Sequence, residues 1–106
     1  MRADEFKKEV KSIVDSDIRF DGHIALVVNS IGEEKQKSIL KWVGSCKAGE
    51  ERPQPCKNFK EMISFIYKSN DNKIRCILTK EKNAYFIELF LDKHNYYDRK
   101  RKYLGL

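Results

Sequence analysis

The chain has 106 residues, of which 41% are hydrophobic and 36% are charged. This length predicts one domain, and this composition excludes a disordered or collagen-like chain. The longest apolar run, Ile24–Val28, is far shorter than the roughly 18 residues that a membrane-spanning helix needs. Because the first residues lead into Asp4 and Glu5 rather than into an apolar signal segment, we expect a cytoplasmic protein with no membrane partner.

The positive charge is concentrated in the second half of the chain. Residues 1–50 contain nine basic and nine acidic side chains, whereas residues 51–106 contain thirteen and seven, so the whole net charge of +6 lies there. Lys93–Tyr103 alone carries five basic groups against one acid. A localised excess favours a polyanionic partner such as nucleic acid, although a solvated surface or a face for an acidic protein would have the same composition.

The cysteines and acids give no sign of a metal site or a cofactor. Cys46, Cys56 and Cys76 are odd in number and contain no CxxC pair, which favours reduced, buried thiols. A zinc site built from them and His94 would lack the closely spaced ligand pairs that are usual. The scattered acids do not form the carboxylate cluster that holds Mg²⁺, and the dispersed glycines form no phosphate loop. We therefore expect neither a metal nor another cofactor.

The N-terminal half predicts helices. Residues 4–14 show an amphipathic stripe, which residues 15–22 interrupt. Ile24–Val28 fits a buried strand or a buried helical turn equally well. Ser30 and Glu33 have the spacing of a capping box, so a helix should follow and end near residues 48–49. The positions expected to face inward are Phe6, Val10, Ile13 and Val14 in the first helix, and Gln36, Ile39, Leu40, Val43 and Cys46 in the second.

The C-terminal half predicts a sheet. The prolines of residues 50–55 indicate a loop. Met62–Lys68, Lys73–Lys80 and Ala84–Asp92 are rich in strand-forming residues and joined by short turns, which predicts a three-stranded antiparallel meander. In the middle strand, Ile74, Cys76 and Leu78 should face one side of the sheet, while Arg75, Ile77 and Thr79 face the other. The most apolar strand, the third, is expected to be the most central. An aromatic and basic tail follows.

Three stretches follow one another in this second half: C-K-N-F-K-E at 56–61, K-I-R-C-I-L-T at 73–79, and a last strand that ends in D-K-H at 92–94. Together with the order of the segments, they give the chain a pattern that resembles the RelE/HigB branch of the RelE/ParE toxins. The resemblance implies an α+β fold in which N-terminal helices pack on a small antiparallel β-sheet, with a basic C-terminal tail. Residues 1–106 would form one RelE-like domain. Its parts would be a helical extension (1–22), a helical part (23–49), the β-meander (57–95) and the basic tail (96–106). The family usually begins with a strand and then a helix pair, whereas here a helix comes first, and its lysine-threonine-proline tail is absent.

The resemblance implies a toxin of a type II toxin-antitoxin system, an mRNA interferase that inhibits translation. Such an endoribonuclease needs no metal, because the 2′-OH of the RNA attacks the adjacent phosphate. The partners would be RNA, ribosome-bound mRNA included, and an acidic antitoxin protein. The alternative is a non-catalytic module of the same fold that binds nucleic acid or protein. The implied catalytic residues are Arg75, Lys93, His94 and Tyr97, and the implied nucleic-acid-binding residues are Lys57, Lys60, Tyr96, Arg99 and Arg101.

Each of these residues also has a structural explanation. Hairpin geometry by itself brings the start of the middle strand opposite the end of the last one, so Arg75 should lie near Lys93 and His94. Arg75 could instead pair with Glu88 or Asp92. The histidine could be an ordinary surface residue, the lysines of the loop could serve solubility, and the tyrosines could pack on the sheet with Leu104.

Overall fold

The computed structural model describes residues 1–91 and 94–106, and it describes 94 and 95 by their backbone alone. The helices are α1 (Ala3–Val14), α2 (Ile24–Ser30), α3 (Glu33–Lys47) and α4 (His94–Leu104). The strands are β1 (Asp17–Phe20), β2 (Gln54–Pro55), β3 (Met62–Lys68), β4 (Ile74–Glu81) and β5 (Ala84–Leu91). The chain is thus an α+β protein, as the sequence predicts. No helix of the described residues combines the length and the apolar character needed to cross a bilayer.

The sheet has five strands in the order β1-β5-β4-β3-β2, and it is mixed rather than antiparallel. The predicted meander of β3, β4 and β5 is confirmed, but β1 pairs with β5 in parallel. Helices α2 and α3 and strands β2 to β4 lie between β1 and β5 in the chain, so no hairpin turn fixes this pair as antiparallel. The prediction that β5 is the most central strand is wrong, because β4 occupies the middle.

Strand β1 lies within the segment predicted to be a break and a helical extension. Two of its four residues are polar, and of its four side chains only Ile18 is buried. A strand this short shows too little alternation to be recognised from the sequence. Asp15, which adopts a left-handed conformation with φ of 50°, ends α1 and turns the chain into β1. Ile24–Val28, left open between strand and helix, belongs to α2.

Helix α3 ends where the sequence predicts, but the prediction of a capping box at its start is wrong. Gly32 is the N-cap residue and makes no side-chain hydrogen bond. The Ser30 hydroxyl donates instead to the Leu26 carbonyl at 2.6 Å, because Ser30 is the last residue of α2. The buried face of α3 contains Trp42, which the sequence analysis omitted, whereas Leu40 is only partly buried.

Each face of the sheet carries its own hydrophobic core. Helices α1, α2 and α3 cover one face, which includes Ile74, Cys76 and Leu78 of β4. Helix α4 covers part of the other, where Cys56, Ile77, Tyr97 and Leu104 are buried together. The predicted alternation of β4 is therefore confirmed. All three cysteines are buried and free. Residues predicted to be a tail form α4, which builds the second core.

Candidate anion-binding site

Helix α4 has an inner stripe that packs on the sheet. Tyr97, Arg101 and Leu104 follow one another at i, i+4 and i+7, so they lie on one side of the helix. The side chain of Tyr97 is only 3% exposed, and its ring meets Phe90 of β5 edge-on, with the ring centres 5.6 Å apart. Since Phe90 stands opposite Arg75 of β4 in the strand register, this packing brings Arg75 beneath the helix.

Two guanidinium groups flank the Tyr97 ring. The central carbon of Arg75 lies 5.1 Å from the ring centre, and that of Arg101 lies 5.7 Å from it. A cation this close to an aromatic ring is attracted by its quadrupole, which orients both guanidiniums. Arg75 also donates from Nη1 to the Asn72 carbonyl at 3.0 Å. We call Arg75, Tyr97 and Arg101 the arginine–tyrosine cluster.

The cluster contains three buried polar atoms that form no hydrogen bond. These atoms are Nε of Arg75, Nε of Arg101 and the hydroxyl oxygen of Tyr97, and no described residue pairs with any of them. Burial raises the pKa of the Tyr97 phenol above its usual value, although the charges of Arg101 and Arg75 act in the opposite direction. The phenol is therefore protonated at neutral pH. Two permanent cations and a neutral hydroxyl donor thus lie in one cluster, and each has one buried polar atom without an acceptor among the described residues.

The acid that could have paired with Arg75 is used elsewhere. Glu88 of β5 forms an ion pair with Lys100 of α4 at 2.9 Å, so the alternative that Arg75 pairs with Glu88 is wrong. Lys100 Nζ is not aligned with Glu88 Oε1 as a hydrogen-bond donor. The oxygen is therefore ion-paired but has no hydrogen-bond partner among the described residues. The other alternative, pairing with Asp92, falls outside the described residues.

The loop before β3 packs against the C-terminal end of α4. Asn58 donates from Nδ2 to the carbonyls of Lys102 and Tyr103, at 3.1 and 2.9 Å. Gly105 follows the helix with φ of +83°, and a Cβ there would lie 2.9 Å from that of Lys57. Lys57 is therefore near the end of α4, about one turn beyond Arg101. It is exposed, as is Lys60, which no described contact connects with the cluster.

The remaining predicted site residues do not join the cluster. Tyr96 and Arg99 are exposed, and the Arg99 guanidinium lies 5.9 Å from the Tyr96 ring centre. Both belong to an outer stripe of α4. Lys93 lies outside the described residues. His94 begins α4, but its side chain is not described, so its expected proximity to Arg75 stays a prediction.

Arg75 and Tyr97 are predicted from the sequence to be catalytic and Arg101 to contact RNA, but a meeting of the three was not predicted. The spacing of Tyr97, Arg101 and Leu104 was the available signal, since a helix over these residues places them on one side. A row of buried polar groups beside Ile77 was also not predicted from the sequence. Ser64 Oγ lies 3.1 Å from Cys56 Sγ and 3.2 Å from Thr79 Oγ1, which satisfies these groups within the second core.

Within the described ranges, histidines, cysteines and acids do not gather in groups of three or more that could hold a metal ion. The chain matches no protein-family model, no curated protein and no solved structure. We therefore infer the function from the chemistry of the arginine–tyrosine cluster.

Proposed function

We propose that this chain is a toxin-like endoribonuclease that cleaves RNA without a metal ion, and that the arginine–tyrosine cluster binds the phosphate at the cleaved bond. The observation that carries the proposal is the set of three adjacent donors without an acceptor. A buried donor that stays unpaired costs about 1–3 kcal/mol, so a ligand that supplies acceptors is favoured there. A phosphodiester supplies them, and its negative charge complements two guanidiniums.

The order of the elements gives independent support. A strand, a helix pair and then a three-stranded meander is the order that the resemblance to RelE/HigB toxins implies. Strand β1, helices α2 and α3, and strands β3 to β5 follow this order, with α1 as an addition before it. The strand that the family pattern requires thus has a counterpart in Asp17–Phe20, in a segment where the sequence shows no strand signal.

The proposed reaction uses only the RNA and protein side chains. The 2′-oxygen bonds to the adjacent phosphorus, the bond from phosphorus to the 5′-oxygen breaks, and a 2′,3′-cyclic phosphate remains. Arg75 and Arg101 stabilise the charge that develops on the phosphate oxygens. Tyr97, whose phenol is protonated at neutral pH, supplies the proton to the leaving 5′-oxygen. The 2′-OH proton would pass to Lys93 or His94, the other two residues that the resemblance implies are catalytic.

One observation favours the second candidate, an RNA-binding module without catalysis. The Tyr97 side chain is 3% exposed and its hydroxyl oxygen is buried, so a substrate atom reaches the hydroxyl only if neighbouring side chains move. The same cluster could then bind a phosphate without donating a proton to it. An acidic antitoxin that covers these cations, and a cytoplasmic location, belong to the toxin proposal as well.

Cleavage and binding of a short fluorescently labelled single-stranded RNA, in EDTA, test the proposal. We expect cleavage to a 2′,3′-cyclic phosphate by the wild type and a loss of about 10²-fold or more with Tyr97→Phe. Arg75→Ala and Arg101→Ala should each weaken RNA binding and reduce the slope of log Kd against log salt by about 0.7. Lys82→Ala removes one exposed charge from the β4–β5 turn and serves as the matched control.

Three outcomes separate the hypotheses. Cleavage that depends on the cluster but not on Lys82 supports the nuclease. Binding that depends on the cluster without any cleavage refutes the nuclease and leaves the RNA-binding module. RNA binding that is equally weakened by Lys82→Ala and Arg75→Ala means that general basicity, and not the cluster, attracts the RNA. Induced expression in a bacterial host adds a separate measurement, since only the nuclease should arrest growth.

A further inference from the structure

A groove lies beside α4, on the side of the helix that carries Tyr96, Arg99 and Tyr103 and that adjoins the arginine–tyrosine cluster. It has a volume of about 570 Å³ and lies between α2, β5 and α4. The large apolar side chains that are exposed in the described ranges all line it: Leu26 at 68%, Tyr96 at 63% and Tyr103 at 59%. Exposed apolar groups gathered in one concave site, rather than scattered, indicate a binding surface.

The groove exists because β1 is shorter than β5. Strand β1 pairs with β5 only over Ala84–Ile87, and on this edge no described strand accompanies the rest of β5, whose other edge pairs with β4. The carboxylate of Asp21 accepts from the Leu89 N–H at 3.2 Å, and this is where the contact between the β1 segment and β5 ends. Beyond this point α2 and α4 form the two walls, with Leu26 on one wall and the tyrosines on the other.

The charges around the groove leave one cation without an acidic partner. Asp21 accepts from the N–H groups of His23 and Leu89, and Glu88 pairs with Lys100. Arg99 is exposed and forms no ion pair with a described residue. An occupant that complements the groove therefore has a flat apolar body for the tyrosines and a negative charge for Arg99. A nucleotide of single-stranded RNA has both.

We propose that this groove is a nucleobase-binding subsite in which a base of the RNA stacks on Tyr96 or Tyr103. The inference rests on the proposed function for the identity of the ligand. Tyr96 and Tyr97 are consecutive residues about 100° apart around α4, so one RNA strand that passes over the helix can reach both sites. Tyr96 and Tyr103 are seven residues apart on one side of the helix, about 10.5 Å along its axis, which leaves room for a base at either ring.

Fluorescence of 2-aminopurine, placed at each position of a short RNA in turn, tests the subsite directly. Stacking on tyrosine quenches this base, so one position should be quenched when wild-type protein is added. We expect Tyr96→Ala to remove part of the quenching and to raise Kd about 5- to 150-fold, without changing the salt slope. Tyr103→Ala should act in the same direction, but Tyr103 also packs against Phe59, with ring centres 5.0 Å apart, and could disturb folding. Tyr103→Phe keeps both rings and is the matched control.

The readouts distinguish failure of the subsite from failure of the proposed function. Quenching without any RNA cleavage supports the groove and refutes the nuclease. RNA binding that depends on Arg75, with 2-aminopurine fluorescence that never changes, overturns the groove and leaves the phosphate site intact. Quenching that persists in both Tyr96→Ala and the Tyr96→Ala/Tyr103→Ala double variant also overturns the groove. In that case the apolar surface is open to a protein partner instead.

Discussion

Tyr97→Phe should stabilise the fold and weaken RNA binding at the same time. The substitution keeps the ring, which packs on Phe90 and between the two guanidiniums, and removes only a buried hydroxyl that has no described partner. Leaving such a group unpaired costs about 1–3 kcal/mol, so its removal should raise the free energy of unfolding by about 1 kcal/mol or more. For a domain of this size, that gain corresponds to a rise in Tm of about 4–8 °C.

Urea denaturation measures the stability change, and a higher midpoint with an unchanged m-value identifies it as a change in stability alone. In the complex, the lost hydroxyl would have donated to a charged phosphate oxygen. Such a bond is worth about 1.5–3 kcal/mol, so Kd for RNA should rise by about tenfold or more. Tyr103→Phe, which also removes a phenolic hydroxyl but from an exposed ring, should change stability by less than about 0.5 kcal/mol.

The reasoning is refuted if Tyr97→Phe destabilises the protein by more than about 1 kcal/mol, because the hydroxyl would then be satisfied in the folded state. It is equally refuted if RNA affinity does not change, since the hydroxyl would then play no part in binding. A gain in stability with a loss of affinity is the combination expected when a binding group is held at a cost to the fold.

Three further substitutions test the fold around the site. Gly105→Ala places a Cβ 2.8 Å from the backbone nitrogen of Asn58 at a left-handed position, so unfolding by heat or urea should show a loss of about 1–2 kcal/mol or more. Hydrogen bonds, above all from Lys35, hold the pKa of Asp71 well below its usual 3.8, so its stabilisation is present above that pH and lost on acidification. Asp71→Asn should therefore lower the free energy of unfolding at pH 7, and the difference from wild type should shrink below pH 4. Burial raises the pKa of the Cys46 thiol from 9.0 to about 12, so the thiol ionises in the unfolded chain before it ionises in the folded one. The free energy of unfolding therefore falls between pH 9 and pH 12, by up to about 1.4 kcal/mol per pH unit. In Cys46→Ala this loss should be smaller, which alkaline unfolding curves would reveal.

The sequence by itself determined the elements whose hydrophobic pattern is long and regular. The apolar stripe of α1, the spacing of α3 and the three apolar runs of the meander each exceed six residues, and burial of one face leaves a clear period. The alternation along β4 also placed Arg75 on the opposite face from Cys76. The charge excess of the second half, and with it the expectation of a polyanionic partner, follows from composition alone.

Only the tertiary structure decided the parts that depend on neighbours distant in the chain. Strand β1 is recognisable through its parallel pairing with β5, which is distant in the chain, and not through its four residues. The cluster of Arg75, Tyr97 and Arg101 needs the register of two strands and the docking of α4 over them. The sequence specifies which side chains are present, but packing sets the distances between them. Function depends on those distances.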